Sequence, residues 1–104
     1  MCCAPLGAPE MTDEQAEATA ELFKALSHPE RVRILNLIAT CGEPVCVCDV
    51  TDHVGLAQPT ITFHLKKLVA AGILRREQRG TWAFFSIEPG AAKALREAVK
   101  LGGR

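Results

Sequence analysis

Apolar residues recur at helical spacing along the first part of the chain, a pattern typical of helices that bury one face. We predict a first helix capped by Thr12 or Asp13, and a second that begins after Ser27, where residues 27–30 have the spacing of a capping box. The residues expected to face the core are Ala16, Ala20, Phe23, Leu26, Val32, Leu35 and Ile38. The run 41–44 contains Gly and Pro and should end the second helix.

The middle of the chain predicts two helices joined by a sharp turn. A short helix over residues 49–54 should end at Gly55, which can adopt the positive φ of a tight turn, and a longer helix should follow over residues 58–71. The apolar face of the longer helix consists of Ile61, Leu65 and Leu68. This arrangement is typical of a DNA-binding helix-turn-helix.

The last third of the chain predicts a β-hairpin and a closing helix. Residues 73–78 and 81–87 are rich in β-forming side chains and flank a turn that contains Gly. A final helix should begin at Pro89 and end at residue 101. Its apolar side consists of Ala91, Ala94, Leu95, Ala98 and Leu101. The predicted fold class is therefore mostly α with one β-hairpin, in a single domain over residues 12–104.

Residues 1–11 contain Pro and Gly without periodicity, so we expect a flexible tail that carries Cys2 and Cys3. At 104 residues with 48% apolar content, the chain suffices for one hydrophobic core. No apolar run reaches the roughly 18 residues of a membrane span, and the N-terminus lacks the features of a secretory signal. We therefore expect a cytoplasmic protein with no membrane partner. Its five cysteines then favour reduced thiols for metal or redox chemistry over a disulfide framework.

The net charge is zero, but the charges are unevenly distributed. The first 23 residues contain five acidic side chains and no Lys or Arg, so the rest of the chain carries +5, and residues 58–82 carry +4. The N-terminal part of the second helix of a helix-turn-helix meets base edges. The candidates for base readout are therefore Gln58, Thr60 and Thr62. The candidates for phosphate or minor-groove contact are Lys66, Lys67, Arg76 and Arg79.

His64 and the aromatic residues of the hairpin have two interpretations each. His64 lies between the apolar and polar faces of its helix, and it is either a neutral, hydrogen-bonded packing residue or a DNA contact. The aromatic residues are expected in the hairpin core rather than as a stacking platform for bases. They are Trp82, Phe84 and Phe85.

Cys46 and Cys48 directly precede the helix-turn-helix. Residues i and i+2 do not face each other on an α-helix, whereas on extended chain they point the same way. Two thiolates can therefore bind the same ion only if residues 44–48 are extended or distorted. Ion binding would then displace the start of the following helix. The N-terminus of that helix should also lower the thiol pKa. Cys41 alone is either a small buried hydrophobe or a ligand.

Three stretches of the chain are distinctive in combination: LFKALSHPERVRIL at residues 22–35, QPTITFHLKKL at 58–68 and AGIL at 71–74. Together they resemble the ArsR/SmtB family of metal-responsive repressors. The resemblance implies a winged helix-turn-helix homodimer that represses a resistance operon and releases operator DNA when a toxic metal or metalloid binds. One departure is Ala57, where many relatives have a hydroxyl residue that caps the recognition helix, so that Gln58 or water must serve.

The resemblance implies more than one ligand set. Arsenic-sensing members typically carry Cys-Val-Cys-Asp-Leu-Cys where this chain has Thr51 in place of the third thiol, and other members match Cys2, Cys3 and Cys41. Cadmium- and lead-sensing members imply a four-thiolate site, which here consists of Cys2, Cys3, Cys46 and Cys48. Adjacent thiols chelate a three-coordinate ion more easily than they complete a tetrahedron. The expected inducer is therefore As(III) or Sb(III), with Cd(II) or Pb(II) as the alternative.

Other classes of function remain as alternatives. A redox switch would form a Cys2–Cys3 or Cys46–Cys48 disulfide, and a protein-interaction module would have no DNA role. An enzyme is disfavoured because the chain has no Cys-x5-Arg loop, and a zinc site on the last helix is disfavoured because residues 89–101 contain no His or Asp. A homodimer should form on the first and last helices, which present small residues for close approach. These residues are Ala16, Ala20, Ala91, Ala94 and Ala98.

Overall fold

The computed structural model describes residues 11–99. Within this range the chain forms five helices and three strands, in the order α1 (Asp13–Ala25), α2 (Pro29–Cys41), β1 (Val45–Cys46), α3 (Val47–Val54), α4 (Gln58–Ala70), β2 (Leu74–Arg79), β3 (Trp82–Ile87) and α5 (Pro89–Ala98). The predicted order of helix, helix, helix-turn-helix, hairpin and helix is confirmed. Apart from Met11, the predicted tail over residues 1–11 lies outside the described residues, as does Leu101.

The helix starts follow from local capping chemistry. Thr12 caps α1 as predicted, because its side chain accepts a hydrogen bond from the Gln15 backbone N–H while the Gln15 side chain accepts one from the Thr12 N–H. The capping box predicted at Ser27 is wrong. The Ser27 hydroxyl instead donates to the Lys24 carbonyl at 2.8 Å, so it satisfies the end of α1, and α2 begins at Pro29 with no side-chain cap.

The buried face of α1 differs from the prediction, whereas that of α2 agrees with it in part, since Ile38 is buried as predicted. Thr19 and Leu22 face the core of the protomer, whereas the predicted residues of α1 from 16 to 23 are exposed, including Phe23 at 42%. In α2, Ile34 and Ile38 are buried, while Val32 is 50% exposed. Both alternatives have helical spacing, so the sequence pattern alone did not decide which face packs inward.

The helix-turn-helix consists of α3, a turn at Gly55 and α4. Gly55 has a φ of 81°, as the sharp turn requires. The predicted apolar face of α4 is confirmed, since its three residues are all fully buried: Ile61, Leu65 and Leu68. The helix α3 begins two residues earlier than predicted, at Val47 rather than at Asp49.

The hairpin belongs to a three-stranded antiparallel sheet with strand order β1-β3-β2. The strands β2 and β3 pair from Leu74↔Ile87 to Arg79↔Trp82, as expected for a hairpin wing. The strand β1 pairs Cys46 with Phe84, and it was not predicted because two residues are too short to show an alternating pattern.

The core aromatic of the hairpin is Phe85, which is 5% exposed and packs with the buried residues of the helices. The expectation that Trp82 also belongs to this core is wrong. Trp82 is 60% exposed because it is the first residue of β3, next to the tip of the wing, and Phe84 is half-buried. Among residues 11–99, no helix has the length and apolar character needed to cross a bilayer.

Candidate functional site

The recognition helix α4 presents a polar surface to solvent. Gln58, Thr60, Lys66 and Lys67 are exposed and Thr62 is half-buried, whereas the opposite face is in the core. The residue before the helix, Ala57, has extended backbone and offers no side-chain cap, but its carbonyl accepts from the Thr60 N–H at 3.0 Å and from the Ile61 N–H at 3.1 Å. Because Pro59 also has no N–H, the first turn of α4 offers few free donors to an anion such as phosphate.

Phe63 lies on the same exposed surface of α4 and organises nearby cations. Its ring is 52% exposed, the Lys67 Nζ lies 5.4 Å from the ring centroid, and the Arg31 guanidinium lies 6.0 Å from it. Cation–π contacts of this kind hold a flexible Lys side chain over one part of the surface.

His64 is buried at 9% exposure and forms a link between α4 and α2. The Nε of Arg31, itself 8% exposed, donates to the His64 Nδ1 at 3.1 Å, and the Arg31 Nη1 donates to the Ala25 carbonyl at 3.2 Å. Burial and the adjacent Arg31 charge both lower the pKa of His64. His64 is thus a neutral packing histidine, the first of the two interpretations, and it does not lie on the exposed face with the other proposed DNA contacts.

Arg31 was not among the site residues predicted from the sequence, although its position offered a signal. It lies one helical turn before Leu35, within a face that also contributes Ile34 to the core. A charged residue at such a position is rarely buried unless it is paired. An arginine on the buried face of a helix therefore predicts a specific hydrogen-bond acceptor, such as His64.

Arg76 and Arg79, the two residues of the β2–β3 wing that were predicted to contact DNA, have different electrostatic surroundings. The Arg79 Nη2 lies 3.0 Å from the Glu77 Oε1, and the Arg79 guanidinium lies over the Phe84 ring at 4.8 Å. This pairing lowers the pKa of Glu77 and raises that of Arg79. Arg76 instead donates to the neutral amide oxygen of Gln78 at 2.7 Å, so its charge is not neutralised.

Cys46 and Cys48 meet at the junction between the sheet and the helix-turn-helix. Cys46 is the last residue of β1 and the N-cap of α3, and Cys48 lies in the first turn of α3. Their Sγ atoms are 2.6 Å apart. The two thiols therefore lie close together, as a shared ion would require, because a strand ends and a helix begins at Cys46, and not because the chain is extended through residue 48.

Asp49 lies beside the two thiols and was not among the residues predicted for this site. Its Oδ2 accepts from the Cys46 backbone N–H at 3.3 Å and from the Cys46 Sγ at 3.4 Å. The donor atoms of Cys46, Cys48 and Asp49 all lie within 4.8 Å of one another, so they can hold one ion. The available signal was the i, i+3 spacing of a capping box between Cys46 and Asp49.

The electrostatics of this cluster differ from the prediction. The hydrogen bond with Cys46 is the main reason that the pKa of Cys48 is raised, and the charge of Asp49 acts in the same direction. The expected lowering by the helix N-terminus is therefore wrong for Cys48, because the hydrogen bond with Cys46 favours its protonated thiol. Metal binding requires thiolates, so a bound cation would act against this effect.

The other cysteines are not part of this cluster as the structure describes it. Cys41 is exposed at the end of α2 and does not belong to the three-residue group. Cys2 and Cys3 lie outside the described residues.

Comparisons with known proteins identify the family. The family described as "Bacterial regulatory protein, arsR family" matches residues 28–76. An HTH-type transcriptional regulator of Methanocaldococcus jannaschii is 42% identical over 88 residues, which cover 85% of this chain and 94% of that protein. This chain belongs to the ArsR family. Its members are transcriptional regulators rather than enzymes, as predicted.

The names of two further relatives refer to resistance to different elements. The arsenical resistance operon repressor of Escherichia coli is 35% identical over 82 residues, covering 75% of this chain and 69% of that protein. A cadmium resistance transcriptional regulatory protein, the CadC homologue of Staphylococcus aureus, is 34% identical over 85 residues, covering 82% of this chain and 69% of that protein.

Solved structures share the winged helix-turn-helix fold. The transcriptional repressor PagR of Bacillus anthracis is 26% identical with a TM-score of 0.71, covering 84% of this chain and 99% of that one. A homodimeric winged helix-turn-helix DNA-binding domain from Mycobacterium bovis is 22% identical with a TM-score of 0.69, covering 92% of this chain and 90% of that one. The fold class predicted from the sequence is thereby confirmed.

Proposed function

We propose that this ArsR-family protein is a homodimeric repressor that binds operator DNA and releases it when a soft metal or metalloid ion binds its thiols. The observation that carries the proposal is the position of Cys46. This residue ends a strand of the wing sheet, caps the first helix of the helix-turn-helix and lies 2.6 Å from a second thiol.

The DNA surface combines the exposed side of α4 with the wing. Gln58, Thr60 and Thr62 lie in the first half of α4, from which a recognition helix reads base edges. The proposed phosphate or minor-groove contacts are Lys66, Lys67, Arg76 and Arg79. His64 lies on the buried side of α4, beneath this surface, where it accepts a hydrogen bond from Arg31.

The DNA contacts can be tested by separating affinity from specificity. Lys67→Ala should weaken binding to operator and to scrambled DNA alike, and it should reduce the slope of log K against log salt by about one per subunit. Gln58→Ala should instead reduce the preference for operator over scrambled DNA. A Gln58→Ala protein with unchanged preference would remove Gln58 from the readout surface.

Ion binding would act on both halves of the DNA surface at once. Cys46 pairs with Phe84 in the wing strand β3, and Cys48 lies within α3. Rearranging both thiolates and Asp49 around one ion would therefore change the angle between the wing and the helix-turn-helix. By thermodynamic linkage, the ion must bind the conformation with low DNA affinity more tightly than the conformation with high DNA affinity. The difference between these two binding free energies is the coupling energy, which is typically about 1–3 kcal/mol.

The proposed inducer is As(III) or Sb(III), and the two described thiols need a further thiolate to complete a three-coordinate site. That ligand would come from Cys2, Cys3 or Cys41, with the site formed within one protomer or across two. The names of several relatives, including the E. coli repressor, support an arsenical inducer.

A second candidate is a Cd(II)- or Pb(II)-responsive repressor. Asp49 favours it through its charge rather than as a ligand, since a carboxylate beside Cys46 and Cys48 attracts a divalent cation. The corresponding ligand set would be Cys2, Cys3, Cys46 and Cys48, and the name of the S. aureus relative is consistent with it.

The deciding experiment is a titration of the reduced full chain, bound to its own promoter DNA, with As(III), Sb(III), Cd(II), Pb(II) and Zn(II). Fluorescence anisotropy of labelled DNA measures release. Release by As(III) or Sb(III) at the lowest concentrations supports the main proposal, and release by Cd(II) or Pb(II) first supports the second candidate. No release by any of these ions, with release after oxidation, would favour a redox switch instead.

A further inference from the structure

A cleft separates the recognition helix from the wing. It has a volume of about 330 Å³ and lies between α4, the hairpin strands and the start of α3. Its lining consists mainly of apolar side chains, namely Val47, Val69, Ala70, Ala83 and Phe85. Phe85 forms a rigid floor because it is 5% exposed and belongs to the protein core.

Two cations lie at this cleft. Lys66 and Arg76 line it together with Thr62, and no acidic residue is part of its described lining. Within residues 11–99 neither cation takes part in an ion pair, in contrast to Arg75, which pairs with Glu88, and Arg79, which pairs with Glu77. The cleft therefore combines an apolar surface with two uncompensated positive charges.

We propose that this cleft binds a small organic anion with an apolar body, such as an aromatic carboxylate. The volume is at the lower end of the range for ligand sites, about 300–1,000 Å³, and is sufficient for one ring. The ring would lie against Phe85 and Val69, and the carboxylate would accept hydrogen bonds from Arg76 and Lys66. A guanidinium and an ammonium are strong donors to a carboxylate when an apolar wall excludes water on one side.

Such a ligand would compete with DNA without involving the thiols. Lys66 and Arg76 are among the phosphate contacts of the proposed function, and a bound carboxylate would occupy both. The competition rests on that proposed function, whereas the binding site itself does not. The protein would then respond to two chemically unrelated inducers at two adjoining sites, because Val47, which lines the cleft, lies between Cys46 and Cys48.

Binding is tested first in the absence of DNA. The probe is benzoate, titrated into the reduced, metal-free, ¹⁵N-labelled full chain at constant ionic strength, with amide shifts followed by NMR. We expect saturable shifts centred on the cleft residues, and at least tenfold weaker binding of the uncharged isostere benzamide. Absence of saturable shifts up to about 10 mM benzoate would overturn the proposal, because weaker binding falls below any useful site affinity.

Matched variants separate this cleft from general attraction to a basic surface. Lys66→Gln should weaken benzoate binding at least tenfold, while Lys67→Gln, on the same helix but over Phe63, should leave it within twofold. Ala83→Leu should also weaken binding, by filling the cleft, with an unchanged fold checked by the dispersion of the amide spectrum. Equal losses in the Lys66 and Lys67 variants would overturn the proposal in favour of nonspecific charge attraction.

Competition is measured in a second step. Benzoate should displace labelled promoter DNA from the reduced wild-type protein in the presence of a metal chelator, beyond the effect of sodium chloride at equal ionic strength. Saturable binding without excess displacement would overturn the regulatory part of the inference. If the protein did not bind its promoter at all, the proposed function would fail while the NMR result on the cleft would stand.

Discussion

At the scale of single residues, Cys46 combines roles that are normally separate. Its backbone pairs with Phe84 in the sheet, and its side chain lies within hydrogen-bond distance of both Cys48 and Asp49. Because it also forms the N-cap of α3, the proposed response to an ion requires that a displacement of its thiol moves the start of the helix-turn-helix. The exposed position of Cys48 leaves the cluster open to an incoming ion.

We expect the Cys46→Ser and Cys48→Ser variants to bind operator DNA as the wild type does but to lose release by the inducing ion. A serine hydroxyl keeps the size of the thiol but is a poor ligand for soft ions. The lost response corresponds to the coupling energy, about 1–3 kcal/mol or roughly 5–150-fold in DNA affinity, and anisotropy titrations with and without ion measure it.

The Cys41→Ser variant distinguishes the alternative ligand sets. Since Cys41 lies outside the described cluster, its replacement should leave release unchanged if the third thiolate comes from the N-terminal pair. Loss of release in this variant, with full response in Cys46→Ser, would shift the site to Cys2, Cys3 and Cys41.

His64 predicts a dependence of stability on pH. Its pKa is lowered by burial and by Arg31, so the unfolded chain binds a proton at a higher pH than the folded protein does. The contribution of neutral His64 to the free energy of unfolding is therefore fully present above the usual histidine pKa of about 6.5. It is lost as the pH falls from that value through the lower pKa of His64 in the folded protein. Protonation of Nδ1 would also break the hydrogen bond from Arg31.

Urea unfolding between about pH 7.5 and 5 tests this expectation for His64→Gln, whose amide oxygen can still accept from Arg31. The variant should lose less stability than the wild type on acidification. The matched control is His53→Gln, in which an exposed histidine is replaced. Parallel pH profiles for the wild type and the His64 variant would contradict the buried, neutral assignment.

At the scale of elements, the recognition helix α4 has no side-chain cap at its N-terminus. Ala57 has φ of −63° and ψ of 147°, the extended conformation of an N-cap, but it has no side-chain acceptor. The helix is held instead by its buried face and by the Arg31–His64 hydrogen bond. Tertiary contacts thus compensate for a weak local signal.

Ala57→Ser should stabilise the protein by at most about 1 kcal/mol, because among the N–H groups of the first turn of α4 a serine hydroxyl can accept from that of Thr60, which bonds to the Ala57 carbonyl at 3.0 Å, whereas Pro59 has none. For a domain of this size, this corresponds to a rise in Tm of roughly 4–8 °C, measurable by calorimetry or circular dichroism. Ala70→Ser, at the other end of α4, serves as the control and should give no such rise. An unchanged Tm for Ala57→Ser would show that water or Gln58 already satisfies these groups.

At the scale of the whole molecule, α1 and α5 pack against each other and leave one side of α1 uncovered. The exposed residues Ala16, Ala20 and Phe23 follow one another at i, i+4 and i+7, so they form a single stripe. An exposed apolar stripe of small residues beside an aromatic ring suits close packing of a second copy, and two copies would read two half-sites one helical turn apart.

Ala20→Glu should therefore convert a dimer into a monomer and weaken operator binding at least tenfold. Two like charges would meet across a two-fold axis, whereas in the single protomer the side chain would remain in solvent. Sedimentation velocity at micromolar concentration measures the mass, with circular dichroism as a check on folding. Ala39→Glu, at an exposed position on α2, is the control. A wild-type monomer that binds operator tightly would contradict the proposed assembly.

Much of the fold could be predicted because its signals are local. The turn at Gly55, the cap at Thr12 and the apolar face of α4 each depend on a few neighbouring residues, and the structure confirms them. The wrong predictions concern choices between equivalent local patterns. The stripe of α1 that faces the core is one of two at helical spacing, and only packing against the other helices selects the one with Leu22.

For the site, the sequence by itself determined the chemistry that is available: two thiols beside a helix-turn-helix, a polar side of α4 and a basic hairpin. Only the tertiary structure decided which of these groups meet. The strand β1, the inclusion of Asp49 and the burial of Arg31 against His64 all depend on contacts between elements. Residue type and spacing encode local conformation, whereas the register of a two-residue strand and the partner of a buried cation are set by the packing of the whole core.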